Sequence, residues 1–376
     1  MHHRIVIIGA GFAGLTAIKT LRKKGCTDPI TLISPKPEFF YYPSLIWIPA
    51  GLRSETDLTI SLDNFLQRNQ IHYHQGKVIK LDPNARQIFT DTGTIAFDSL
   101  IIASGGRFLK KMPGIEHVYT PCEGYAPTYA YSEKLASLSG GTLTFGFGSN
   151  PKEPAAMRGG PIFEFLFGID TLLRQQHRRD KFRLIFFNPA TEPGKRLGNK
   201  AVSALLGEMT KRNITTHLGY KIKEFTEDSI ITEGGKVYSD LTLFMPGMTG
   251  AAWAVDSNLP LSDGGFIKAD AQCRVPGFSG IYIAGDSGSF PGPDWMPKQA
   301  HMADLQARAA VNNLLADKNG QKANYQFKTE LVCIVDALDG GMLVYRDIKR
   351  NILLPKLAMF SWAKRWFEQL YLQQYR

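Results

Sequence analysis

What this 376-residue chain lacks narrows its function first. Its four cysteines (Cys26, Cys122, Cys273 and Cys333) are too few and too scattered for a disulfide scaffold. None forms C-x-x-C, so neither a zinc ribbon nor a thioredoxin-type site is expected. The eight histidines show no metal-ligand spacing, and no metal is expected. The net charge is +10, yet there is no basic run long enough for a nucleic-acid arm and no helix-turn-helix or zinc-finger pattern. That excess of positive charge therefore points to anionic lipid rather than nucleic acid. No apolar run is long enough to span a bilayer. The first strand is expected within a few residues of Met1, which leaves no room for a secretory signal, so a cytoplasmic, soluble or surface-attached protein is expected. A content of 44% hydrophobic and 21% charged residues is that of an ordinary folded protein, and the length accommodates two domains.

What is present begins at Arg4–Ile8, a β-branched run leading into Gly9-Ala10-Gly11-Phe12-Ala13-Gly14 and the helix-compatible Leu15–Lys24. A strand, G-x-G-x-x-G and a helix together are the fingerprint of a dinucleotide-binding βαβ unit. Gly9 allows the tight turn, Gly11 lets a pyrophosphate approach the backbone, and Gly14 lets helix and strand pack closely. The helix start then presents free N–H groups to the phosphates. Pro29–Ser34 reads as the second strand, ending about twenty residues past the glycines, where such units place the ribose contact. That contact is usually acidic. Here Ser34, with Lys36 nearby, supplies a hydroxyl instead. The aromatic loop Phe39-Phe40-Tyr41-Tyr42 follows, a candidate wall for a flat ring.

Ile71–Asp91 reads as a small β-meander, and Phe97–Gly106 as a buried strand whose Ala103-Ser104-Gly105 end lets backbone crowd a cofactor. A second strand–glycine unit at Thr142–Asn150 carries Gly146 and Gly148 but is interrupted before the helix Ile162–Gln176. The next strand, Phe182–Phe187, ends in Asn188-Pro189 with no acid. The repeat has the shape of a nicotinamide-binding unit without its contacts. Leu241–Gly250 closes it, and Gly280–Asp286 with the helix Lys298–Leu315 returns to the first unit. Gly285-Asp286 suits a hydroxyl-binding position beside a cofactor's sugar chain. The expected class is α/β: two Rossmann-like dinucleotide-binding domains of the FAD/NAD(P) type with a C-terminal membrane-associating region. Residues 1–106 with 251–325 form the first domain, 107–250 the second and 326–376 the tail. In the tail, Leu354–Tyr371 reads as a helix with most of its aromatics on one side and Lys364, Arg365 and Glu368 on the other. That pattern is an interfacial anchor, with cations toward anionic headgroups.

Together these segments resemble two-dinucleotide-domain flavoproteins, and within them the sulfide:quinone oxidoreductases and flavocytochrome c sulfide dehydrogenases. The resemblance rests on Leu32-Ile33-Ser34, the Phe39–Tyr42 loop, Pro161-Ile-Phe-Glu164-Phe and Met296-Pro297-Lys298-Gln299. It extends through Leu331-Val-Cys333 and Trp366-Phe367-Glu-Gln-Leu-Tyr371, and so covers almost the whole chain. It implies bound FAD, a membrane quinone as acceptor, peripheral attachment on the cytoplasmic side, and a redox-active cysteine pair. By position Cys333 matches the family's C-terminal catalytic cysteine and Cys122 an accessory one. The cysteine expected before the Gly-Pro-x-x-Glu segment is missing, with Arg158 or its neighbours in its place; what the resemblance implies for a pair, by family position alone, is Cys122 with Cys333. Cys26 and Cys273 read as structural. Glu164, in an apolar segment, is expected to have a raised pKa suited to proton transfer. Lys298 is expected to donate to a flavin or quinone carbonyl. Two other readings stay open, a type II NADH:quinone reductase and a flavin-binding partner or sensor altered in catalysis; a homo-oligomer is compatible with each.

Overall fold

Two parallel sheets built to the same plan frame the chain, described over residues 3–376 in a computed structural model. The first runs in the order Ile281–Ile283, Ser99–Ile102, Ile5–Ile8, Ile30–Ser34, Ile71–Gln75. Ile5–Ile8 and Ser99–Ile102 are buried throughout, which is why they read as unbroken apolar runs rather than alternating ones. The helix Phe12–Lys23 connects Ile5–Ile8 to Ile30–Ser34, and Ala300–Lys318 packs beside it. Lys298 therefore lies in the loop before this last helix.

The second sheet runs Thr215–Leu218, Phe182–Asn188, Gly141–Phe147, Leu241–Met245, also all parallel. Its helix Gly160–Gln175 is buried on nearly every side, because it lies between this sheet and the C-terminal region. Each sheet carries a three-stranded antiparallel meander, over residues 78–96 in the first unit and 222–238 in the second. The meander expected over Ile71–Asp91 is thus displaced. Ile71–Gln75 joins the parallel sheet as its edge strand, an assignment that an alternating polar pattern does not distinguish from a hairpin arm.

The C-terminal region is an antiparallel sheet of Glu330–Asp336, Gly341–Asp347 and Asn351–Leu357, followed by the helix Ala358–Gln373. The helix expected from Leu354 therefore starts four residues later. Pro355, which lacks an N–H, is tolerated because Asn351–Leu357 is an edge strand. The helix presents its aromatics outward as an anchor requires, and departs from the expected pattern in where its cations point. Its charged residues face the protein: Lys364 pairs with Glu164, Glu368 with Arg53 (Nε–Oε2 2.9 Å), and Ser361 Oγ donates to Asp336 at 2.8 Å. Arg365 lies over the Trp47 ring at 5.8 Å. Met359, Trp362, Trp366, Phe367 and Leu370 face outward, with the two tryptophan rings stacked. Beyond them Tyr371 and Tyr375 return to the first unit and pack among Phe12, Phe39 and Phe65.

Candidate functional site

The first glycine turn meets the geometry a dinucleotide requires. Gly9 has φ +106°, and a side chain there would run into the Ala103 carbonyl. A side chain at Gly14 would strike the Gly9 carbonyl, so that glycine serves packing. Gly11 is different, for no protein atom stands within 4 Å of where its side chain would project. The helix Phe12–Lys23 starts there without a side-chain cap, and its first amides are free for an anion. These amides open into a cavity of 1290 Å³. FAD therefore fits here by its phosphates.

Every residue singled out from the sequence except Gly14 lines that cavity. Gly9, Gly11, Phe12, Ala13, Ser34, Lys36, Tyr42, Ala103, Ser104, Gly105, Gly285 and Asp286 form the cradle end. Ser34 Oγ donates to the Lys36 carbonyl at 2.7 Å, so toward a ribose hydroxyl it would act as acceptor. Lys36 is exposed and pairs with Glu38 at 3.7 Å. Tyr42 stands edge-on to Phe40 at 4.8 Å. The Gly105 N–H donates to Ser287 Oγ at 2.8 Å, and Asp286 pairs with Arg158.

Cys122, Cys333, Glu164 and Lys298 line the same cavity. Both thiols are free. Burial pushes Cys333 up to about 12 and Cys122 up to about 11, so both are protonated at neutral pH. Glu164 is buried, accepts the Asp336 N–H at 3.0 Å and pairs with Lys364. Burial raises its pKa against the pull of that lysine. Lys298 Nζ donates to the Gly288 carbonyl at 2.7 Å and stands over the Phe266 ring at 3.7 Å. Burial lowers its pKa.

The second glycine segment packs against the protein itself, with Gly146 inside the strand Gly141–Phe147 and paired there to Phe187. A side chain at Gly146 would strike the Phe187 ring, and one at Gly159 the Phe147 ring. Asn188 is buried, donating to the Phe147 carbonyl at 2.8 Å and accepting from the Ala190 N–H at 2.9 Å. Asn150 donates to the Met248 and Gly264 carbonyls. The lining of the large cavity does not include Gly146, Gly148 or Asn150.

Three features were not read from the sequence. Lys364 enters the cavity as the partner of Glu164, Arg158 pairs with Asp286, and Arg196 lines the wall near Cys333. Arg196 sits in Pro-Gly-Lys-Arg-Leu-Gly, which resembles any surface turn, so no local signal marks it.

Comparison with known proteins agrees with this geometry. The model of the pyridine nucleotide-disulphide oxidoreductase family matches residues 3–139 and 186–307. The sulfide-quinone reductase of Aquifex aeolicus is 23% identical over 397 residues, covering 100% of this chain and 92% of that protein. A type II NADH:quinone oxidoreductase of Staphylococcus epidermidis is 25% identical over 389 residues, covering 94% and 93%. The solved structure of the Aquifex aeolicus sulfide:quinone oxidoreductase superposes with a TM-score of 0.91 at 22% identity, over 100% of this chain and 91% of that one. NDH2 from Plasmodium falciparum superposes with a TM-score of 0.75 at 14% identity, over 100% and 95%. At these identities the structural likeness establishes the fold. The matched family, over more than half the chain and with a cradle that accepts its cofactor, makes this protein a member of the pyridine nucleotide-disulphide oxidoreductases and an FAD-dependent enzyme.

Proposed function

We propose that the chain is a peripheral-membrane oxidoreductase that passes two electrons from a sulfur compound, through FAD, to a membrane quinone. One observation carries the donor half. The second glycine segment, where a nicotinamide dinucleotide would seat, has Gly146, Gly148 and Asn150 outside the large cavity, with Asn150 buried and bonded to the Met248 and Gly264 carbonyls, whereas two thiols line the cavity that holds the FAD cradle. FAD supplies a carrier that takes electrons as a pair and releases them to a quinone. The chain's own residues bind, orient and manage protons. The first-turn amides after Gly11 hold the pyrophosphate, Ser34 accepts from the ribose, and Asp286 takes the sugar-chain hydroxyls. Cys333 meets the sulfur donor, with Cys122 as its partner. Glu164 and Lys364 hold a proton between Oε1 and Nζ for the quinone, whose reduction consumes protons. Lys298 Nζ stabilises negative charge developing on a carbonyl oxygen.

The membrane half rests on the outward stripe of Met359, Trp362, Trp366, Phe367 and Leu370. The exposed hairpin turn Ile348-Lys349-Arg350 supplies the positive charge that the inward-facing Lys364 and Arg365 do not. Replacing Met359, Trp362 and Leu370, the outward residues that do not line the cavity, together by serine is expected to abolish co-sedimentation with anionic vesicles while leaving reduction of a water-soluble quinone unchanged. Undiminished sedimentation refutes the anchor.

The donor is tested by anaerobic mixing of the FAD-loaded enzyme with sulfide or with NADH. Bleaching of the flavin band by sulfide and not by NADH is expected. Bleaching by NADH alone makes the chain a type II NADH:quinone reductase, the reading favoured by the similarity to the Staphylococcus epidermidis enzyme. Bleaching by neither leaves a flavin-binding partner or sensor. Mass mapping that finds Cys122 free in oxidised enzyme, with turnover intact in Cys122→Ser, removes Cys122 from the pair.

A further inference from the structure

Resting on the sulfur reading above, we propose that the Cys333 end of the cavity is a subsite for a sulfur oxyanion, with Arg196 and Arg158 as its binding groups. The compounds that meet Cys333 then include a sulfane sulfur attached to an oxyanion group, of the thiosulfate class, and not bare hydrosulfide alone.

Arg196 is held rigidly in place. Its backbone carbonyl accepts from Arg346 Nη1 at 2.7 Å, and its guanidinium donates to the Ala155 and Met157 carbonyls at 3.2 and 2.8 Å. Those bonds use its two terminal nitrogens and leave Nε without a partner among the described residues. Its charge is close enough to act on the Cys333 thiol. Arg158 spends Nη2 on Asp286, and its Nε is buried with no partner. A buried guanidinium N–H left unpaired is costly, so a donor in this state beside a cavity calls for an acceptor. The helix Gly160–Gln175 begins without a side-chain cap, and Cys333 Sγ stands 3.9 Å from where a side chain at Gly160 would project.

The carboxylates nearby do not cancel these charges. Asp286 is taken by Arg158 and Glu164 by Lys364, while Arg196 and Lys298 face no carboxylate within ion-pairing distance among the described residues. An anion entering here therefore meets net positive charge. Each arginine keeps its Nε–H for a ligand, so the two present separate charged donors to the cavity rather than a fork. An oxyanion offers several oxygens to such donors, whereas hydrosulfide offers one soft atom. The cofactor's phosphates are served by the amides after Gly11, and Gly146, Gly148 and Asn150 of the second glycine segment lie outside this cavity.

The test is a titration of the FAD-loaded enzyme with thiosulfate at constant ionic strength, with chloride as the reference salt. It is read by calorimetry and by the shift of the flavin's visible band. Saturable binding is expected in the wild type, weakened by about tenfold or more in Arg196→Gln, the loss of a charge-assisted pair. Arg196→Lys keeps the charge but not the Nε–H and is expected to recover part of the affinity. Flavin content and melting temperature of each variant separate lost folding from lost binding. Should both variants shed flavin, the wild-type titration alone decides. Absence of saturable binding in the wild type, or equal binding by Arg196→Gln, overturns the subsite. Bleaching by sulfide without thiosulfate binding removes the subsite and keeps the sulfur reading. Thiosulfate binding without bleaching by any sulfur compound removes that reading and keeps the anion subsite.

Discussion

The two units of this chain share a plan and differ at one turn. In each, the aspartate just before a strand paired to the first one, Ser99–Ile102 or Leu241–Met245, clamps that first strand. The Arg4 N–H donates to Asp98 at 2.8 Å and the Thr142 N–H to Asp240 at 2.7 Å, while each aspartate's own N–H returns to the same residue's carbonyl at 2.9 Å. Each sheet carries a meander at the same point. At the glycine turn they part. Gly11, two residues past the turn glycine Gly9, opens onto empty space, whereas Asn150, two residues past Gly148, is buried and bonded to the Met248 and Gly264 carbonyls. The helix that receives phosphates in the first unit carries Glu164 in the second, aimed at Lys364 instead of at a ligand. A duplicated backbone thus keeps its frame while the function of its loop is decided by whether side chains fill it.

Breaking the open turn has the largest expected effect. Gly9→Ala puts a methyl into the Ala103 carbonyl at φ +106° and is expected to yield flavin-free, poorly folded protein. Gly11→Ala meets no protein atom, so it should keep its melting temperature yet lose FAD affinity by about tenfold or more, from weakened phosphate hydrogen bonds. The matched change Gly148→Ala, whose methyl would make only ordinary contact with Phe244, should leave flavin content and sulfide bleaching unaltered. Flavin-to-protein absorbance ratios check all three.

Emptying the packing against the second glycine strand comes next. Phe187 is fully buried, and Phe187→Ala is expected to cost about 3–5 kcal/mol in denaturant unfolding with flavin retained. Glu164→Gln tests the second helix's different role. Flavin reduction by the donor should be unchanged, while reoxidation by quinone slows by about 100-fold.

The smallest effect concerns the clamp. The Arg4 guanidinium and N–H hold Asp98 down at about 2. A carboxylate depressed in the folded state adds stability above its unfolded pKa, and that stability is lost as pH falls through the folded value. The melting-temperature gap between wild type and Asp98→Asn should therefore close between pH 4 and about 2. A gap constant across that range assigns the clamp to its neutral hydrogen bonds.

The cradle was legible in the sequence because its demands are local: a turn, a close approach and a packed helix start fall within six residues, Gly9–Gly14. Buried strands were legible for the same reason. The C-terminal helix was half legible. Periodicity told which residues share a face, but not that Lys364 turns inward, since its partner Glu164 lies 200 residues away. Asn351–Leu357 mixes leucines with Pro355 and Lys356, and only pairing with Gly341–Asp347 makes it a strand. Arg196 acquires meaning from the carbonyls of a distant loop.

The return of Tyr371 and Tyr375 to the first unit bears on how the protein is made. Phe39 and Phe65 are covered by residues from the end of the chain, and Ile281–Ile283 completes the first sheet late. Contacts of this sequence separation form slowly and leave apolar surface open until they close. The cofactor-binding core, although synthesised first, is therefore completed last. A nascent or truncated chain ending before Tyr371 leaves Phe39 and Phe65 without these tyrosines, open to chaperones and proteases.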